Sequence, residues 1–239
     1  SIEGFHDDLD GDGLTGWQEA FVETNPMVQD SDADGLSDYH ELFESSTIPW
    51  ADDSDSDLIS DGYEVSNDLD PLDDSDADLD PDSDGLTNQQ EFQFGTRAQV
   101  ADSDNDGMSD GYEAEESLDP TNNYSVLDND RDGLSNLTEF NLYTRASVKD
   151  TDGDGIDDGY EVENELDPLN ASDAALDSDE DGLTNLQEFQ LGSNPTDLTS
   201  PGLGASVAES AQRDFNGDGR IDMLVKEIVE TKLAPGWCG

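Results

Sequence analysis

Asp30-Ser31-Asp32-Ala33-Asp34-Gly35-Leu36-Ser37-Asp38-Tyr39-His40-Glu41 is the stretch that decides how this chain is read. Acids fall at positions 1, 3, 5, 9 and 12 of a twelve-residue loop, and Gly35 occupies position 6, where the backbone must turn sharply. This is the oxygen-ligand spacing of a calcium loop. Asp30, Asp32 and Asp34 offer carboxylates, Leu36 a backbone carbonyl, Asp38 a direct or water-bridged oxygen, and Glu41 both of its oxygens.

The pattern recurs eight times. Position 1 is Asp8, Asp30, Asp53, Asp80, Asp102, Asp128, Asp150 and Asp177; position 3 is Asp10, Asp32, Asp55, Asp82, Asp104, Asp130, Asp152 and Asp179. Position 5 is Asp12, Asp34, Asp57, Asp84, Asp106, Asp132, Asp154 and Asp181. The carbonyl-bearing position 7 is apolar throughout: Leu14, Leu36, Ile59, Leu86, Met108, Leu134, Ile156 and Leu183. Position 9 is Asp38, Asp61, Asn88, Asp110, Asn136, Asp158 or Asn185, with Gly16 in the first loop, where water would have to serve. Position 12 is always Glu: Glu19, Glu41, Glu64, Glu91, Glu113, Glu139, Glu161 and Glu188. Leu58 replaces the position-6 glycine of the third loop and predicts strain there. A single copy is a moderate signal. Eight in phase predict about eight or more bound Ca2+ ions, because flexible all-oxygen cages favour Ca2+ over Mg2+ and soft ligands are almost absent.

From Asp53 onward, alternate copies lie 48 or 49 residues apart, so the unit is a pair of loops. One member reads like Gly182-Leu-Thr-Asn-Leu-Gln-Glu-Phe189; the other carries Asp-Gly-Tyr-Glu and ends in Leu-Asp-Pro, as at Leu69 to Pro71. A short period of this kind means a linear array whose units pack on their neighbours. Each loop should run into a helix of two or three turns: Leu183, Leu186 and Phe189 form one narrow apolar stripe, and Gly95 and Gly192 stand where left-handed caps would fall. The expected fold is a calcium-stabilised tandem-repeat rod, mostly loops with short α-helices, little β-structure and no single large hydrophobic core. Repeats span 1–196, a linker 197–211, and a distinct segment 212–239.

Charge explains why a cation is needed. The chain has 239 residues, 63 Asp plus Glu against 8 Lys plus Arg, a formal net charge of -55, and only 32% hydrophobic residues. Bare, such a chain repels itself and does not collapse. The same charge excludes nucleic acid as a partner, since phosphate contacts need clustered Lys and Arg. No apolar run is long enough to insert in a membrane. Two His and the single Cys238 suggest neither a zinc site nor a nucleophilic triad. Close carboxylate pairs occur in glycosidases, but here every pair belongs to a repeated loop, so no enzyme activity is expected.

At these residues the sequence resembles thrombospondin type 3 repeats in the tandem form found in bacterial surface and secreted proteins, over roughly residues 7–200. Its apolar residue at position 7, with a small or polar residue at 8, separates it from ordinary EF-hands. The resemblance implies an elongated, calcium-wrapped protein outside the cell; no basic and apolar leader opens the sequence at Ser1, so any signal peptide is expected to lie outside it. The segment Asp214-Phe-Asn216-Gly-Asp218-Gly-Arg220-Ile221 breaks phase and resembles an EF-hand or dockerin half-repeat, with Arg220 supplying the carbonyl and Val225 at position 12 unable to coordinate. The function expected is a Ca2+-rigidified stalk, spacer or filament subunit at the cell surface; the alternative is calcium-dependent docking through the C-terminal segment. Expected partners are further copies of the chain or other cell-surface proteins. Tyr63, Tyr112 and Tyr160 at position 11 and Phe92, Phe140 and Phe189 at position 13 are expected to pack between units, a carbohydrate- or partner-binding aromatic face being the alternative.

Overall fold

A computed structural model of the chain describes residues 6–200. The expected C-terminal loop at 214–225 and most of the 197–211 linker lie outside the described residues. Two compact units divide after Ser125, the first holding five of the loops and the second three. Among the described residues there are eight short α-helices and no strand. They are α1 (Gly16–Val22), α2 (Asp38–His40, continued by a π-helical turn Glu41–Ser45), α3 (Asp61–Ser66), α4 (Asn88–Phe94), α5 (Asp110–Glu115), α6 (Asn136–Leu142), α7 (Asp158–Glu163) and α8 (Asn185–Leu191).

Every helix begins at loop position 9, and the loop builds its start. The position-1 aspartate folds the chain back on itself: Asp30 accepts from Ala33 N–H at 2.6 Å and from Gly35 N–H at 3.0 Å, and Asp53, Asp80 and Asp128 repeat both bonds. The position-5 carboxylate then accepts from the position-7 amide, as Asp34 does from Leu36 at 2.7 Å. A last bond closes the loop, from the position-9 N–H to the carbonyl just before position 1: Asp38 to Gln29, Asp61 to Asp52 and Asn185 to Leu176 are examples. Position 8, noted in the sequence only as small or polar, is the N-cap. Thr87 and Thr184 close capping boxes with Gln90 and Gln187, which offsets amides that the first turn leaves open. Gly95 and Gly192 end α4 and α8 in the left-handed conformation, as expected, and Tyr143 does the same for α6 at φ 62°.

The turn also demands positive φ at position 6, where Gly35 has φ 106°. Leu58 accepts φ 80° in the same place while 68% exposed, so it bears backbone strain without compensating burial.

The interior is distributed one side chain per loop. The eight position-7 residues are buried, from Ile59 and Ile156 at 0% exposure to Leu36 at 9%, and small residues such as Ala98 and Ala146 fill between them. Half-buried ring pairs join loops within each unit. Tyr63 meets Phe92 edge-on at 5.1 Å and Tyr160 meets Phe189 at 4.9 Å, with the tyrosine hydroxyls donating to the Thr96 and Ser193 carbonyls. What fills the rest is carboxylate. All eight position-12 glutamates are fully buried.

Candidate metal centres

Each helix carries its position-12 glutamate over the mouth of its own loop. Both oxygens of Glu19, Glu64, Glu91, Glu113, Glu139 and Glu161 are buried without a hydrogen-bond partner. Glu41 and Glu188 each have one such oxygen, the other accepting from Thr47 or Ser193. One oxygen of each position-3 aspartate, from Asp10 through Asp179, is likewise buried and unpartnered. Burying an unpaired carboxylate costs several kcal/mol, and the cost is repeated in every loop. A cation facing these oxygens removes it.

The electrostatics agree. Desolvation, then the aspartates at positions 3 and 5, push Glu64 and Glu161 up to about 9 and Glu41, Glu91, Glu113 and Glu139 up to about 8. Glu19 and Glu188 rise to about 7, for desolvation first. These are carboxylates placed where the negative charge is disfavoured unless a positive one is added.

Among the described residues the oxygens converge in twelve groups of three or more acids, with the ligand atoms of each group within 4.8 Å of one another. Asp8–Asp10–Asp12, Asp30–Asp32–Asp34 and Asp53–Asp55–Asp57 are the position 1, 3 and 5 sets expected from the sequence. A second kind of group was not expected. Asp34 and Glu41 of one loop meet Asp61, which is position 9 of the next; Asp57 and Glu64 meet Asp76, which lies in no loop.

Two junction designs produce this second kind. Where loops follow one another closely, the position-10 amide of the following loop donates to the position-5 carboxylate: Gly62 to Asp34 at 2.8 Å, Gly111 to Asp84 at 2.8 Å, Gly159 to Asp132 at 2.7 Å, and Tyr39 to Asp12 at 3.2 Å. Those bonds draw the following position-9 aspartate against the preceding glutamate, so Asp110 raises Glu91 and Asp158 raises Glu139. Position 9 also turns toward its own loop, Asp61 accepting from the Ser54 amide and hydroxyl.

Where Leu-Asp-Pro lengthens the junction, the inserted segment supplies the acid instead. Asp76 accepts from the Asp70 amide through one oxygen and leaves the other buried and unpartnered toward Asp57 and Glu64; Asp173 repeats this with Asp167 and stands beside Asp154 and Glu161. Position 9 becomes asparagine, and the Asn88 and Asn185 amides donate to the Asp76 and Asp173 carbonyls. Beyond Leu118-Asp119-Pro120 the pattern stops short. Asp106 accepts from the Tyr124 and Ser125 amides, and Ser125 occupies the place held by Asp76 and Asp173.

The donors are hard oxygens throughout, six or more can be drawn from one loop with its neighbour, and the unpartnered atoms point inward. The residues fit a hard divalent cation of the Ca2+ type. Asn136, the acceptor residue of the glycosylation sequon Asn136-Leu137-Thr138, is fully buried and so is closed to a glycan.

The bacterial TSP3 repeat model matches residues 102–122, 150–171 and 177–198, each match beginning at the first aspartate of a loop. No curated protein and no solved structure matches the chain.

Proposed function

We propose that the whole array of eight loops is a Ca2+-rigidified stalk, spacer or filament subunit, held outside the cell; the match of residues 102–122, 150–171 and 177–198 to the bacterial TSP3 repeat supports the reading, since repeats of that kind are calcium-binding and structural. The observation that carries the reading is the row of fully buried glutamates with unpartnered oxygens, repeated in every loop. A chain with one large buried apolar side chain per loop has little hydrocarbon to hold it together. A site with hundredfold excess of ligand over Kd stabilises the folded state by about 2.7 kcal/mol, and several such sites rival the roughly 5–15 kcal/mol of a whole domain. Calcium therefore decides whether the loops fold.

The groups shared between loops add a second role. An ion held by Asp34, Glu41 and Asp61 belongs to two repeats at once, so filling it fixes the angle between them. That is the property a spacer needs. Such sites are filled where free calcium is high, which favours the extracellular setting typical of TSP3 repeats. No helix among the described residues is long and apolar enough to cross a membrane. Catalysis has no place in this reading, because no carboxylate pair is distinguished from its copies.

Calcium titration of the EGTA-stripped chain, followed by circular dichroism and small-angle scattering, tests the proposal. About eight or more ions should bind, and an expanded coil should become a defined, elongated particle. A spectrum and scattering curve indifferent to calcium would overturn it.

A further inference from the structure

Three Leu-Asp-Pro junctions interrupt the array, after loops three, five and seven. The outer two are built alike. In each, Oδ1 of the position-5 aspartate accepts from the position-7 amide, Asp57 from Ile59 and Asp154 from Ile156, while Oδ2 is buried without a partner. Asp76 or Asp173, only 9% and 6% exposed, stands beside it with a second unpartnered oxygen. Two unpartnered carboxylates side by side disfavour each other unless a cation joins them.

The middle junction satisfies the same aspartate from its own backbone. Oδ1 of Asp106 accepts from the Met108 amide at 3.0 Å, and Oδ2 accepts from the Tyr124 and Ser125 amides at 2.9 and 3.0 Å. Two donors on Oδ2 use both of its lone pairs. Ser125 stands where the acid would be, and its hydroxyl donates to Asn123 Oδ1 at 2.8 Å. The run from proline to the next loop is also one residue shorter here. Buried alanines, Ala77 and Ala174, follow the acids of the outer junctions, whereas Val126 follows Ser125 at 82% exposure, with Leu127 50% exposed beyond it. The chain's two compact units divide between Ser125 and Val126.

We infer that the outer junctions each take a cation that the middle one lacks, two backbone amides holding Asp106 in its place, and that the Val126–Leu127 bond is in consequence where the calcium-loaded array is cut by a protease. The inference deepens the calcium-held reading and rests on it. A cation present at ten times its Kd lowers the population of the opened form about tenfold, and a pair of amide hydrogen bonds gains nothing from added calcium. Opened chain is what a protease cuts, provided that closing is faster than cleavage. The exposed Val-Leu pair suits an elastase-type serine protease, which cuts after small apolar residues.

Digestion of the full chain with pancreatic elastase, at a series of calcium concentrations that keep it folded, reads the inference once the fragments are weighed by mass spectrometry. In saturating calcium the wild-type chain should be cut after Val126 at least about tenfold faster than after Ala77 or Ala175. A plot of log rate against log calcium should be shallower there by about one ion. S125D should add one ion to the calorimetric count and slow the Val126 cut at least about tenfold, with the cut bond itself untouched. In EGTA the two chains should be cut alike at that bond, which assigns the protection to calcium and not to the altered sequence. D173S, the reciprocal change, should lose one ion and expose the Ala175–Leu176 bond to cutting. Outer junctions cut as fast as Val126 in saturating calcium, or an S125D chain that binds no further ion, overturn the inference. If S125D does not fold, an unchanged ion count in D173S overturns it equally. Failure of the calcium reading shows separately, as a digest and a circular dichroism spectrum that ignore calcium at every junction.

Discussion

The amide of Gly62 donates to Oδ2 of Asp34 at 2.8 Å, and a Cβ built on Gly62 would overlap the Asp34 carbonyl oxygen. One bond therefore joins position 10 of a loop to position 5 of its predecessor, with no room for a side chain between them. Gly111 stands in the same relation to Asp84, and Gly159 to Asp132. The Asp-Gly-Tyr-Glu signature of alternate loops is thus a statement about neighbours: its glycine admits the preceding loop, and its aspartate joins that loop's glutamate.

Gly62→Ala reverses an ordinary expectation. Glycine to alanine inside a helix usually stabilises by up to about 1 kcal/mol. Here the added methyl meets backbone that cannot move aside without breaking the bond to Asp34, so a loss of roughly 3 kcal/mol is expected. Urea denaturation in saturating calcium measures it; an unchanged or raised midpoint would show that the two loops do not approach this closely.

Leu58→Gly should do the opposite. Leu58 holds φ 80° and is largely exposed, so glycine relieves left-handed strain while giving up little burial. A gain of about 1 kcal/mol is expected, the cost of that conformation for an ordinary residue. The same denaturation experiment reads it, with a fall in stability counting against strain at this turn.

The clustering of the loop acids was legible because they obey a local rule. Spacing within twelve residues fixes Asp30, Asp32, Asp34 and Glu41, and the buried Leu36 follows from the same count. The shared groups were not legible in that way. Asp76 lies outside any loop, four residues before Asp80, and reaches Glu64 only because Leu69-Asp70-Pro71 turns the chain back between them. Asp61 reads as a ligand of its own loop, and only the packing of one loop on the next carries it to Asp34 and Glu41. Asn at position 9 after the longer junctions, and Asp before Gly after the shorter ones, was the available signal: the acid moves from position 9 to the inserted segment.

Asp76→Asn tests the shared group directly. The amide keeps the shape and an acceptor for the Asp70 N–H, but removes one charge from the group with Asp57 and Glu64. Isothermal titration calorimetry should count one ion fewer, or one site weakened at least about tenfold, equivalent to about 1.4 kcal/mol. The position 1, 3 and 5 set of the same loop should be retained. An unchanged isotherm would mean that Asp76 holds nothing.

Protons and calcium should compete for the buried glutamates. Without an ion, desolvation and the neighbouring aspartates raise Glu64 and Glu161 to about 9 and Glu41, Glu91, Glu113 and Glu139 to about 8. Unfolded, each returns to the ordinary glutamate value near 4.5. Between those limits the ion-free folded chain binds more protons than the unfolded one, so its stability falls as pH rises from about 5 to about 9. In EGTA, acidification across that window should increase helical circular dichroism. In calcium the sign inverts, because the ion must displace the protons: apparent affinity should rise with pH, and calorimetry in buffers of different ionisation enthalpy should show protons released on binding. Calcium affinity independent of pH between 5 and 9 would mean that the position-12 glutamates are not where the ion sits.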